Sequence, residues 1–363
     1  MLRSHRSNLL AIHYSAMICH IGLTMQRLRN SNSTRLHSNH LANAVFGLLA
    51  LGLVSAPAIA QGDYPVRAIT LIVPFAAGGP TDVVARIVVN DMSRTLGQMI
   101  IVENIVGAGG TTAGIRAMRS PPDGYTIMMG HMGTHAASVA LYPNLAYNPS
   151  TDFEPVGMVA GMPVLILARK DFPAKDLKEF VNYLRDNAAK LNMAHAGVGS
   201  VAFTTCLLLN SIVGVRPKMT AFQGTGPAMN ALAAGRVDYM CDQVVSAVPQ
   251  IQAGTIKAYA VGTAARNPAL PNIPTSIEAG LPEFQASAWN ALFAPKGTPQ
   301  AIVAKLNAAL GKALDDPETR KQLLDLGGDI PNREQRTPRA LAELVKSEIA
   351  KWTPIIKAAL PAH

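Results

Sequence analysis

From residue 68 onward the chain alternates short apolar runs with stripes of apolar residues spaced three and four apart. Ala68–Val73 is the first run, and Val84, Ile87, Val88 and Met92 form the first stripe. A run of that length reads as a buried strand, and the stripe as the inward face of an amphipathic helix over Thr81–Leu96. The order repeats, predicting a strand over Met99–Glu103, a helix over Thr111–Arg119 and a strand over Thr126–Gly130. Strands alternating with helices imply βαβ units and a parallel sheet. A second α/β set begins with Pro163-Val-Leu-Ile-Leu-Ala168 and a helix that places Leu177, Phe180, Val181 and Leu184 on one face. Strands follow over Leu191–Ala196, Lys218–Ala221, Val237–Cys241 and Ile256–Val261, and the set reads as another open sheet rather than a continuation of the first. The last part is helical. Thr298-Pro299 opens a helix carrying Ile302, Val303, Leu306 and Leu310; Asp316-Pro317 starts one that stops at Gly327-Gly328; Thr337-Pro338 starts one with Leu341, Leu344, Val345 and Trp352.

Five small-residue turns lie between a strand and a helix. They are Pro74-Phe-Ala-Ala-Gly-Gly-Pro-Thr-Asp82, Gly107-Ala-Gly-Gly-Thr-Thr-Ala-Gly114, Gly130-His-Met-Gly-Thr-His135, His195-Ala-Gly-Val-Gly-Ser200 and Phe222-Gln-Gly-Thr-Gly-Pro227. Turns at strand C-termini of an open α/β sheet gather on one edge, where ligands bind. A helix start offers unpaired backbone N–H donors and partial positive charge, and glycine lets an anion approach them. Glycine also serves tight turns with no ligand, so one such turn decides nothing; five together point to binding.

These turns do not match the motifs of other chemistries. Gly107-Ala-Gly109 lacks the third glycine of a dinucleotide fingerprint, and no Gly-Lys-Ser/Thr occurs. Ser200 sits in Gly199-Ser-Val, which is not a G-x-S-x-G nucleophile elbow. His131 and His135 are four apart, a spacing that suits a metal on a helix, but the Met-Gly-Thr between them reads as a turn. Loop or core histidines are the reading taken, and neither a metal nor a cofactor is expected. Asp82 and Arg86 fall at i and i+4 and are expected to pair. Asp242, just after a strand, either contacts a ligand's amino group or hydroxyl or caps the following helix.

Composition changes the picture mainly at the N-terminus. Residues 1–60 hold Arg3, Arg6, Arg27, Arg29 and Arg35 with no Asp, Glu or Lys, then the apolar run Leu41–Val54, then Ala58-Ile-Ala60. Basic region, short apolar region and A-x-A site are the order of a secretory signal peptide, with cleavage expected after Ala60. Met25 offers an alternative start just ahead of the basic residues. Without this segment the net charge falls from +9 to +4, and no Lys/Arg cluster with interleaved aromatics remains to bind nucleic acid. Export leaves Cys206 and Cys241 in a disulfide-permissive compartment; a bridge and two separate buried thiols are both open, and the thiols are the reading preferred.

The mature chain resembles the Bug-type solute receptors of tripartite tricarboxylate transporters over nearly all of residues 64–360. The motifs that carry the resemblance are Tyr64-Pro-Val-Arg67, Pro74–Asp82, Asn104-Ile-Val-Gly-Ala-Gly-Gly110, Pro122-Asp-Gly-Tyr-Thr126, Asp152-Phe-Glu-Pro-Val156, Pro274-Thr-Ser-Ile-Glu-Ala-Gly280 and Trp289–Pro299. It implies a periplasmic-binding-protein-like (type II) α/β architecture of two domains, each a mostly parallel sheet flanked by helices, with a ligand cleft between. Residues 61–162 plus 288–363 would form the first domain and 163–287 the second. The implied ligand is a small organic acid, and the implied partners are the membrane subunits of the carrier. A monomeric, periplasmic, non-enzymatic receptor is expected.

Carried over position by position, the resemblance names Phe75, Ala76, Gly78, Thr81, Asp82, Thr111, Thr134 and His135 from the first domain. From the second it names His195, Ala196, Gly199, Ser200, Gln223, Gly224, Thr225 and Asp242. The chain departs from the family pattern at His195, at Phe203 and at Ala221-Phe-Gln-Gly224, where Pro-Tyr-Lys-Gly is usual, which weakens a citrate-like assignment. Two other classes stay open: a ligand sensor for a signalling partner, and an α/β hydrolase or transferase using Ser200 or a histidine.

Overall fold

The computed structural model describes residues 64–360; the expected signal peptide, its expected cleavage site and the alternative start lie outside the described residues. Strand β1 (Ile69–Val73) leads through the Pro74–Gly79 turn into helix α1 (Pro80–Leu96). Val84, Val88 and Met92 of α1 are fully buried, and Gly97 ends the helix at φ 70°, a left-handed conformation that favours glycine. Strand β2 (Ile100–Asn104), helix α2 (Thr111–Met118) and strand β3 (Thr126–His131) complete two βαβ turns, with β1 parallel to both β2 and β3. A π-helical turn, Gly133–Ala137, and the single turn α3 (Ser138–Leu141) follow.

The next strand departs from the sequence reading. Strand β4 runs without a break from Phe153 to Arg169, so Pro163–Ala168 is the second half of a strand rather than the start of a separate sheet. Its first half pairs with β9 (Ser287–Pro295), and its second half with β7 (Tyr239–Gln243) and β8 (Ile256–Val261), all antiparallel. The strands form one connected sheet of order β2-β1-β3-β9-β4-β7-β5-β6, with β8 also on β4; β5 is Asn192–His195 and β6 is Lys218–Ala221. The continuity escapes a pattern reading because the register slips at Pro155/Gly157 and again at Met158/Ala160, and those bulges break the alternation of apolar residues. Strand β9 escapes because Asn290, buried within it, interrupts its apolar run.

Helices α4 (Leu177–Asn187), α5 (Val201–Val213), α6 (Thr225–Ala233) and α7 (Val244–Gln252) cover the second half. Helices α8 (Gln300–Asp315), α9 (Pro317–Asp325) and α10 (Pro338–Ala359) return to the first, and one apolar core extends from Ile69 to Ile356 through both halves. Glu348 of α10 accepts from Trp289 Nε1 of β9 at 3.1 Å and from Trp352 Nε1 at 3.0 Å, which ties the last helix to the sheet. The cysteine expectation is also corrected: Cys206 of α5 and Cys241 of β7 are joined as a disulfide, with Cα atoms 5.3 Å apart. Their separation of 35 residues hid this from the sequence, because only the packing of α5 on the sheet brings them together.

Candidate functional site

The turn after β1 is held from behind. Asp82 Oδ2 accepts from Gly78 N–H at 2.9 Å and from Arg86 Nε at 2.8 Å, confirming the expected pair. Asn104 Nδ2 donates to Asp82 Oδ1 and to the Phe75 carbonyl, each at 2.9 Å. Burial would push the Asp82 carboxyl up, but the hydrogen bonds from Arg86, Gly78 and Asn104 outweigh it and hold the group below its ordinary range. The residue therefore keeps its charge and fixes the loop, with Gly78 at φ 77°.

In front of that loop lies a cavity of about 230 Å³. Phe75, Ala76, Gly78 and Thr81 line one side; Ala196, Ser200, Gly224, Thr225 and Asp242 line the other. Gln223 lines an adjoining groove with Gly109 and Tyr142. Four helices begin at this wall: α1 after Gly79, α5 after Ser200, α6 after Gly224 and α7 after Gln243. Only the α5 start has a side-chain cap, Ser200 Oγ accepting from Phe203 N–H at 3.1 Å. The others keep first-turn N–H groups free for a ligand. Neither lysine nor arginine is among the residues lining the cavity.

The remaining expected residues lie behind the wall. Thr111 Oγ1 donates to the Ala108 carbonyl at 2.8 Å. Thr134 Oγ1 accepts from His131 N–H at 3.1 Å and lies 2.9 Å from His135 Nδ1. His135 is fully buried with its ring stacked on Phe293 at 3.8 Å. His195 Nδ1 accepts from Gly197 N–H at 3.2 Å. Gly199 meets Gly109 backbone to backbone, and Tyr142 Oη donates to the Val198 carbonyl at 3.0 Å, so loops from the two halves of the sheet touch directly.

His131 was read as a loop or core histidine, yet it lines the cavity while only 1% exposed. Its ring stacks on Phe75 at 4.7 Å, and its Nδ1 accepts from Gly133 N–H at 2.6 Å. That bond places the proton on Nε2, which has no partner within the protein. Ala77, Gly79, Pro80, Val201, Ala202, Gly226, Pro227 and Gln243 also line the cavity without having been named in advance. Most are flanking residues in the same turns, so widening each turn by one or two positions would have found them. Asp242 lines the cavity without capping α7, whose N-cap is Gln243: Gln243 N–H donates to its Oδ1 at 2.8 Å and Ser246 Oγ donates to its Oδ2 at 2.9 Å.

An α/β sheet with helix starts converging on one small cavity has the arrangement of a small-molecule binding protein. The sequence model of the family described as "Tripartite tricarboxylate transporter family receptor" matches residues 84–360, and the chain belongs to that family. The UPF0065 protein of the TAR-I ttuE-ttuC' intergenic region of Agrobacterium vitis is 41% identical, over 86% of this chain and 90% of its own length. Among solved structures, MatC from Rhodopseudomonas palustris with bound malate superposes with a TM-score of 0.79 at 54% identity, over 81% of this chain and all of that one. A further R. palustris protein, with adipate, gives 0.78 at 32% identity, over 82% of this chain and 98% of its own.

Two predictions arise from this geometry. A Cβ on Gly109 would lie 2.0 Å from the Val198 carbonyl oxygen, and φ there is 62°. Gly109→Val therefore holds the two loops apart, while Gly311→Ala, in open space on α8, does not. Small-angle scattering is expected to show a larger radius of gyration for the first variant only; an unchanged radius would contradict the contact. The second concerns acid. Burial, and for His135 also the charge of His131, pushes both histidines down to about 3. Between that value and the ordinary 6.5 the unfolded chain binds more protons than the folded one. Their contribution to stability is thus present above pH 6.5 and lost as pH falls towards 3, by up to about 1.4 kcal/mol per pH unit for each group. His135→Phe should make the fall in Tm between pH 6.5 and 4 shallower, and an identical slope would refute this.

Proposed function

We propose that the protein is an exported, non-enzymatic receptor that captures a small carboxylate in the periplasm and presents it to the membrane subunits of a tripartite tricarboxylate carrier. The observation that carries this reading is the convergence of four helix N-termini on one cavity with no cationic side chain among its lining residues. Backbone donors and helix dipoles suit one carboxylate, and each helix start is worth roughly half a unit charge. The relatives solved with malate and adipate support a dicarboxylate of that size as the ligand class.

Residues 61–162 with 288–363 act as one lobe and 163–287 as the other in this reading. The Gly109–Gly199 contact and the Tyr142–Val198 hydrogen bond are then made in the closed state. Ligand contacts from both lobes supply the differential affinity that closure needs. The hydrolase reading finds less support, because among the described residues no histidine or carboxylate hydrogen-bonds to Ser200 Oγ, whose recorded bond is the helix cap.

Isothermal titration of the 61–363 protein with mono-, di- and tricarboxylates tests the proposal. Saturable one-to-one binding of a dicarboxylate is expected, with Gly79→Val abolishing it, because a Cβ there lies 3.2 Å from the Ala76 carbonyl and its branches crowd the donors. A folded protein that takes up no carboxylate would count against the receptor reading.

A further inference from the structure

Asp242 is an acid in the wall of a cavity that, on the receptor reading above, receives another acid. It is 1% exposed, and its two recorded hydrogen bonds are those from Gln243 N–H and Ser246 Oγ. The groups around it offer no compensating cation. Opposite it on β4 stands Leu165, and the β4 stretch Val164–Ala168 carries no titratable side chain. Helices α6 and α7 carry none, and α5 carries only the disulfide-bonded Cys206. On β5, His195 has its Nδ1 engaged by Gly197 N–H and is pushed down by burial. Across the cavity stand His131, neutral and with Nδ1 engaged, and the Pro74–Thr81 loop, whose following Asp82 is turned away towards Arg86 and Asn104. Beyond α9, Asp329 pairs its backbone with Gly161 and is itself an acid.

Two carboxylates in one poorly hydrated site do not both stay ionised; the pair holds one proton. The helix starts at Gln243, Ser200 and Gly224 favour one negative charge, and a ligand carboxylate competes with Asp242 for them. We propose that ligand capture takes up one proton from solvent onto Asp242, whose neutral carboxyl then donates a hydrogen bond to a ligand oxygen, making Asp242 the residue that couples affinity to pH. Even before a ligand arrives, burial raises this carboxyl to about 7, with the bonds from Gln243 and Ser246 acting in the opposite direction. A free receptor near neutral pH is therefore a mixture of both forms, and the ligand selects the protonated one. Affinity is then full below pH 7 and declines above it, approaching tenfold per pH unit.

The test is isothermal titration of the 61–363 protein with L-malate, almost fully ionised across the range, at pH 6.5, 7, 7.5, 8 and 8.5. At pH 8 it is repeated in phosphate and in Tris, buffers that differ in ionisation enthalpy. The expected result is uptake of close to one proton per malate at pH 8, with Kd rising about tenfold from pH 7.5 to 8.5. Asp242→Asn, which fixes the neutral form, should give a Kd independent of pH. Ser246→Ala, which removes a donor that favours the ionised form, should shift the onset of the decline to higher pH. Carbon-13 NMR of aspartate-labelled wild-type protein supplies a readout that needs no variant: one carboxyl titrating near neutrality, and shifting upward when malate is added. Malate binding with no proton uptake and a flat pH profile would overturn the proposal and leave the receptor reading intact. No heat with malate at any pH, from folded protein, would remove both.

Discussion

The arrangement on which the structure depends is a set of backbone N–H groups aimed at one point by four helices that start from different strands. A helix start leaves its first amides without partners inside the helix, so it must find oxygen elsewhere. Here the α1 and α6 starts follow glycines, the α7 start has no side-chain cap, and lysine and arginine are missing from the residues that line the cavity. An anion held this way is recognised by fixed geometry rather than by long flexible cations. That geometry has to be defended, and much of the local chemistry does so: Asp82, Arg86 and Asn104 fix the first loop, Thr134 and Ser138 fix the turn after β3, and Asp242 is held by Gln243 and Ser246.

Close approach of backbones is the second constraint. Gly109 meets Gly199 and the Val198 carbonyl at distances no side chain would allow, and a Cβ on Gly133 would lie 2.2 Å from the Gly199 carbonyl. The glycines of these turns thus serve two ends, exposing amides and letting the loops of the two halves touch. Their abundance is explained by the second use as much as by the first, which is why several turn residues named from sequence support the cavity instead of lining it.

The fold was largely legible. Strands β1, β2, β3, β5, β6, β7 and β8 and the helices between them were readable because each is a short run or stripe bounded by turn residues. The unity of the sheet was not, since Pro155 and Gly157 interrupt the pattern inside β4 and its continuation reads as a fresh start. The cavity was legible at Phe75, Gly78, Ser200, Gly224 and Asp242, where a strand ends in a turn. His131 was missed because a histidine at a strand end beside a glycine has no sequence signature of its role. Only the 2.6 Å bond from Gly133 N–H to Nδ1 shows that its Nε2 carries the proton. The Cys206–Cys241 bridge was undecidable for the same reason: it depends on where α5 lies against β7.

The central claim is that backbone amides at the helix starts, rather than cationic side chains, hold the ligand carboxylate. Amide proton and nitrogen shifts of the 61–363 protein during titration with malate measure this directly. The largest downfield shifts are predicted at Thr81, Val201, Ala202, Gly226 and Val244, saturating together with the binding isotherm. Shifts concentrated instead along the groove formed by Leu207, Arg216 and Leu360, with those five amides unmoved, would contradict it.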